Sequence, residues 1–198
     1  MRVGATGRTL DDPKGGSFFF DAGATCLDFA HTGGEGHYAV FESLHEPADL
    51  AAWLAAEPLG VHVTVPVSTA DLTAAKRLRQ AIWVAAHDRA AGRPLSPAAV
   101  ETVNRAAAPA PLLPHLTADG AAAWTPPVRA TQALSSLARE MIDLLSGPLA
   151  GRFRECASDN CPLVFVDSSR PGARRWCAME RCGNRAKLRA LRARRAAD

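Results

Sequence analysis

The chain has 198 residues, 47% of them hydrophobic, which suits one medium domain or a domain with a small appendage. No apolar run nears the ~20 residues that cross a bilayer, and residues 1–17 have no apolar h-region, so a spanning helix and a secretory leader are not expected and a cytoplasmic protein is. The formal charge of +3 hides a split: residues 152–198 hold 12 Lys/Arg against 5 Asp/Glu, a net of +7, and the remainder holds 11 against 15, a net of −4.

Residues 1–16 carry four glycines and a proline with no hydrophobic periodicity, and read as a disordered tail. Order is expected to begin at Ser17-Phe18-Phe19-Phe20. Residues 24–31 place Cys26, Leu27 and Ala30 on a short apolar stripe, a brief helix ended by His31-Thr32-Gly33-Gly34. Residues 46–56 form a second helix through Leu50, Trp53 and Leu54, closed by Pro58 and Gly60.

The clearest helix spans residues 69–91, with Leu72, Ala75, Leu78, Ile82 and Ala86 at three- and four-residue intervals. Ser68 and Asp71 make an Asp variant of a capping box at its start, and Gly92 and Pro94 stop it. Ser96-Pro97 opens another helix, with serine as cap and proline in the first turn. Asp119-Gly120, between residues 112–116 and 121–124, predicts a short β-hairpin. Residues 128–145 return to helix through Leu134, Leu137, Met141 and Leu144, before Gly147-Pro148. The expected fold is therefore mainly α: a tail over 1–16, a helical domain with a short hairpin over 17–150, and a small cysteine-rich module over 151–198.

That module pairs Cys156 with Cys161 and Cys177 with Cys182, with four residues between the members of each pair and 15 between the pairs. Thiols stay reduced in a cytoplasmic compartment, where paired cysteines favour metal over disulfides. A stretch of about 47 residues cannot bury enough surface to fold unaided, and one tetrahedral zinc is an adequate staple. None of the six histidines lies in the module, so four cysteines close the coordination shell and the zinc is structural. The rival reading is a reduced thiol cluster without metal. Between the pairs, Leu163-Val164-Phe165-Val166, a turn over 167–172 and Arg174-Arg175-Trp176 suggest a β-hairpin with Phe165 and Trp176 as a small core. Asn184 would cap a helix running to about Ala196, with Leu188 and Leu191 facing the zinc core.

A basic module points to a polyanion. The candidate phosphate contacts are Arg174, Arg175, Arg185, Lys187, Arg189 and Arg192, and duplex DNA is the expected partner. The bland reading is a solvated arginine-rich tail. Asn184 suits a cap better than a base contact, and Trp176 suits packing better than stacking. Cys26 and His31 lie five apart without a third orienting group, so no catalytic residues are expected and the chain is not read as an enzyme.

Cys182-Gly183-Asn184-Arg185, together with the cysteine spacings, Phe165-x-Asp167-x-Ser169-Arg170, Arg174-Arg175-Trp176-Cys177-x-Met179 and Lys187, resembles the CGNR zinc-finger family. Ahead of it, Leu27-Asp28-Phe29-Ala30-His31-Thr32, Asp49-Leu50-x-x-Trp53-Leu54, Leu78-Arg79-Gln80-Ala81 and Val103-Asn104 resemble the ABATE domain that precedes this finger. The resemblance implies a stress-responsive bacterial transcription regulator, with the four cysteines as zinc ligands and the finger binding DNA. The family usually has Asn where this chain has His31. A helical sensor domain would take a small-molecule ligand, whose pocket the sequence does not name. A homodimer would suit reading two half-sites, though no residue demands one. The alternative is a zinc-stabilised module that docks on an acidic protein partner, or binds RNA.

Overall fold

Leu72, Ala75, Leu78, Ile82 and Ala86 are buried along α3 (Thr69–Ala90), the longest described helix. The computed structural model describes residues 7–11, 15–34, 36–56 and 59–195. Against α3 pack α1 (Thr25–Ala30), α2 (Pro47–Ala55), α4 (Pro97–Ala107) and α5 (Ala130–Ser146). The expected capping box forms: the Asp71 N–H donates to Ser68 Oγ at 3.1 Å, and the Ser68 N–H donates to Asp71 Oδ2 at 2.9 Å. In α2 the Asp49 carboxylate accepts from the His45 and Glu46 amides, and Pro47 fills the first turn. Pro58, expected to close this helix, lies outside the described residues.

Three antiparallel hairpins complete the described fold. β1 (Arg8–Asp11) pairs with β2 (Ser17–Phe20), β3 (Pro114–Leu116) with β4 (Ala122–Trp124), and β5 (Phe153–Glu155) with β6 (Val164–Val166). The second is the hairpin expected around Asp119-Gly120. The first departs from the expectation of a disordered tail. Phe18 and Phe20 are buried while Phe19 is 56% exposed, and this period-two anchor offers β1 an edge to pair with. Residues 1–6 and 12–14 of that tail lie outside the described residues.

The third hairpin is a correction of partner. Val164–Val166 pairs backward with Phe153–Glu155, not forward with residues 174–176. Phe153, Val164, Phe165 and Val166 are wholly buried and join the same core as the helices, packing against α3. At Gly23 the chain turns with φ +82°, and a Cβ there would lie 2.4 Å from the Val166 carbonyl oxygen. Only glycine permits both the turn and the approach. Beside it, the Val166 N–H donates to the Ala22 carbonyl at 2.9 Å.

His31 closes the same seam. Its Nε2 donates to the Val164 carbonyl at 2.8 Å, and its ring meets Phe20 and Trp83 edge-on at 5.0 and 5.4 Å. Burial lowers its pKa to about 4; the Val164 bond opposes that and nearby His87 adds to it. The unfolded chain takes this proton near pH 6.5, so the contribution is full above 6.5 and is lost as pH falls through 4. The loss is about 3 kcal/mol. Asp28 works in the opposite sense. Burial raises it to about 7, so its contribution is full below the usual carboxylate range and is lost as pH rises through 7. Denaturation of wild type and His31→Asn at pH 8 and pH 4 separates the two: the substitution should cost more at pH 8 than at pH 4.

Candidate metal centre and basic surface

Cys156 follows β5 directly, and its N–H donates to the Leu163 carbonyl at 2.9 Å, extending the hairpin ladder by one bond. The chain then turns, with the Cys161 N–H donating to the Ser158 carbonyl at 3.0 Å, and this brings the first pair of sulfurs together. The second pair stands at the foot of α6 (Asn184–Arg195). Cys177 ends the incoming loop, and Cys182 lies in a wide helical turn, Met179–Gly183, that runs straight into α6.

All four cysteines are buried, and their Sγ atoms lie within 4.8 Å of one another. Cys161 and Cys177 are 3.6 Å apart, far beyond the ~2.05 Å of a disulfide. Four sulfurs at ~2.3 Å from one zinc stand about 3.8 Å apart, so the cluster fits that ion. The surroundings fit as well. The Cys177 N–H points at Cys156 Sγ at 3.4 Å, and Arg181 Nη1 lies 3.3 Å from Cys161 Sγ and 3.9 Å from Cys182 Sγ. Outer-shell donors of this kind orient thiolates and soften their negative charge. Without a cation the thiols must share protons: Cys161 and Cys177 hold theirs toward Cys156, which lowers Cys156 and raises the other two. A divalent ion replaces those protons. Cys156, Cys161, Cys177 and Cys182 therefore form the site of one structural zinc. Arg181 escapes a search by ligand spacing; its position next to Cys182 is the only signal it gives.

The six basic candidates divide. Arg174 is committed inside the module. Its amide donates to Asp167 Oδ2 at 2.8 Å, its guanidinium donates to the Trp176 and Cys177 carbonyls, and it lies 4.0 Å over the Phe165 ring. Arg175 is exposed against Trp176, its guanidinium 5.2 Å from the ring centroid. On α6, Arg189 pairs with Asp159 at 3.0 Å, a surface contact that water and salt readily exchange. Arg185, Lys187 and Arg192 are exposed on α6, and Lys187 and Arg192 make no ion pair among the described residues.

Two expectations about α6 need correcting. Asn184 does not cap a fresh helix, because the turn before it is already helical; its Nδ2 reaches the Glu180 carbonyl at 3.5 Å. Leu188 and Leu191 do not face the zinc core and are 52% and 41% exposed. α6 packs chiefly on the Met179–Gly183 turn, and two leucines among six cations make too narrow a stripe to fold it back. Ala196, where the helix was expected to end, lies outside the described residues. No described helix is long and apolar enough to cross a membrane.

Comparison with known protein families gives two matches in chain order. Residues 23–148 match the ABATE family, described as "Putative stress-induced transcription regulator", and residues 152–195 match the CGNR zinc finger. No curated protein matches the chain. The ABATE match alone covers well over half the sequence, and the second match contains the four clustered cysteines. The chain belongs to the ABATE family and carries a C-terminal CGNR zinc finger.

Proposed function

We propose that this chain is a DNA-binding transcription regulator whose zinc finger presents α6 to the phosphate backbone, behind a helical domain that senses or assembles. It is a binder rather than a catalyst. The observation that carries the reading is α6 itself. Arg185, Lys187, Arg189, Arg192, Arg194 and Arg195 fall within 12 residues of exposed helix, rooted in the cysteine site at one end. Cations held on a rigid helix lose little entropy when they neutralise phosphates and release counterions. The family description as a transcription regulator supports the same reading.

Equilibrium binding to duplex DNA across salt concentrations tests it. With about four phosphate contacts, the slope of log affinity against log salt should be on the order of −4. Lys187→Ala with Arg192→Ala should flatten the slope by about 2 and leave the fold intact. A flat salt response, or no binding at low salt, refutes the reading.

Exposed Leu188 and Leu191 favour a second reading, in which α6 docks on an acidic protein partner with an apolar patch. That reading predicts protein capture that survives nuclease treatment, loss of capture in Leu188→Ser with Leu191→Ser, and little intrinsic affinity for DNA.

A further inference from the structure

A cavity of about 660 Å³ opens where β1, α1, α2, α3 and the first turn of the finger meet, a volume in the range of small-molecule sites. Trp53 and Trp83 supply aromatic wall, and Pro162 and Leu163 bring the finger into the lining. Two polar groups there are left wanting. Asp28 is only 4% exposed, and among the described residues its Oδ2 has no hydrogen-bond partner and the buried Nε and Nη2 of Arg8 have no acceptor. The Arg8 guanidinium lies 4.2 Å over the Trp53 ring. A buried acceptor and two buried donors lining one cavity are costly unless something supplies their complements.

Charge narrows the class. Among the charged residues of the lining, Glu42 is already held by Arg79 at 2.7 Å. The remainder are Arg8 and Arg181 against Asp11 and Asp28, the last raised toward neutrality by burial, so no strong excess of either sign favours an anion or a cation. The aromatic walls favour a flat ring.

We propose that this cavity binds an uncharged planar heterocycle carrying an N–H next to a C=O, the N–H donated to Asp28 and the C=O accepted from Arg8. A nucleobase-type lactam edge has this pattern. Because the cavity is walled by both the helical part and the finger, a bound ring would bridge the two. The assignment does not depend on what α6 binds, and its test reads ligand binding alone.

Isothermal titration of the full chain with hypoxanthine, benzamidine and benzoate tests it. Hypoxanthine should bind saturably at one site, at least tenfold tighter than either charged probe. Asp28→Leu and, separately, Arg8→Met should each weaken hypoxanthine at least tenfold, since each removes a hydrogen-bond partner and leaves a polar edge of the ring unsatisfied. Arg8→Met keeps an apolar stem over Trp53 and guards against a folding failure at Asp28. Absence of hypoxanthine binding overturns the proposal. So does binding of benzamidine or benzoate as tight as hypoxanthine, or unchanged affinity in the Arg8 variant.

Discussion

Cys177→Ser should reduce bound zinc from one per chain to well below stoichiometric and release the C-terminal segment. Cys177 Sγ lies 3.6 Å from Cys161 Sγ, so its loss removes one of four ligands and opens the shell beside another. A structural zinc contributes on the order of 10 kcal/mol or more to small finger peptides, so several kcal/mol of local stability should go with it. The loss should be uneven. β5 and β6 place Phe153, Val164, Phe165 and Val166 in the main core and are tied to Ala22 and His31. They should stay protected from hydrogen exchange, as should α3 and α5. The segments around the cysteine pairs and α6 should exchange freely. Retained stoichiometric zinc in the variant would refute the ligand assignment.

The second large effect is expected in the helical part, at Glu42. Arg79 on α3 is 4% exposed, and its guanidinium makes a two-pronged contact with Glu42 at 2.7 and 2.8 Å. Lys76 adds a second cation at 3.4 Å. A Cβ at Gly33 would stand 2.7 Å from the Arg79 guanidinium, so the loop before Glu42 threads close against this pair. Glu42→Ala leaves a buried guanidinium without its counter-charge and should cost about 3 kcal/mol. Chemical denaturation would measure it, and a change under about 1 kcal/mol would contradict the account. Burial opposes ionisation of Glu42, but the Arg79 hydrogen bonds and the Leu44 amide prevail and lower it to about 2. Its contribution is therefore present above pH 4.5 and is lost as pH falls through 2.

What the sequence discloses follows the range of the physics. α3 declares itself because its apolar spacing and its Ser68–Asp71 cap are local, and Asp119-Gly120 marks a turn whose two strands adjoin it. The four cysteines are legible for a related reason, since two tight pairs need only one long-range closure. β1 is different. Arg8–Asp11 has no stripe of its own and takes its order from β2. The partner of β6 is hidden as well, because residues 174–176 are nearer a tight turn than Phe153–Glu155 is. Arg174 settles that choice by turning inward onto Phe165 and the carbonyls of Trp176 and Cys177, contacts that no spacing rule encodes. The cavity is the least legible feature. Arg8, Asp28, Trp53 and Trp83 come from four separate elements and meet only in the folded chain.

X-ray absorption at the zinc edge of the purified full-length chain, with metal counted on the same sample, is the most direct test of the centre that holds the basic helix. One zinc per chain with four sulfur neighbours at about 2.3 Å is the predicted result. A fully folded chain without metal, or a zinc shell containing nitrogen or oxygen in place of sulfur, would contradict it.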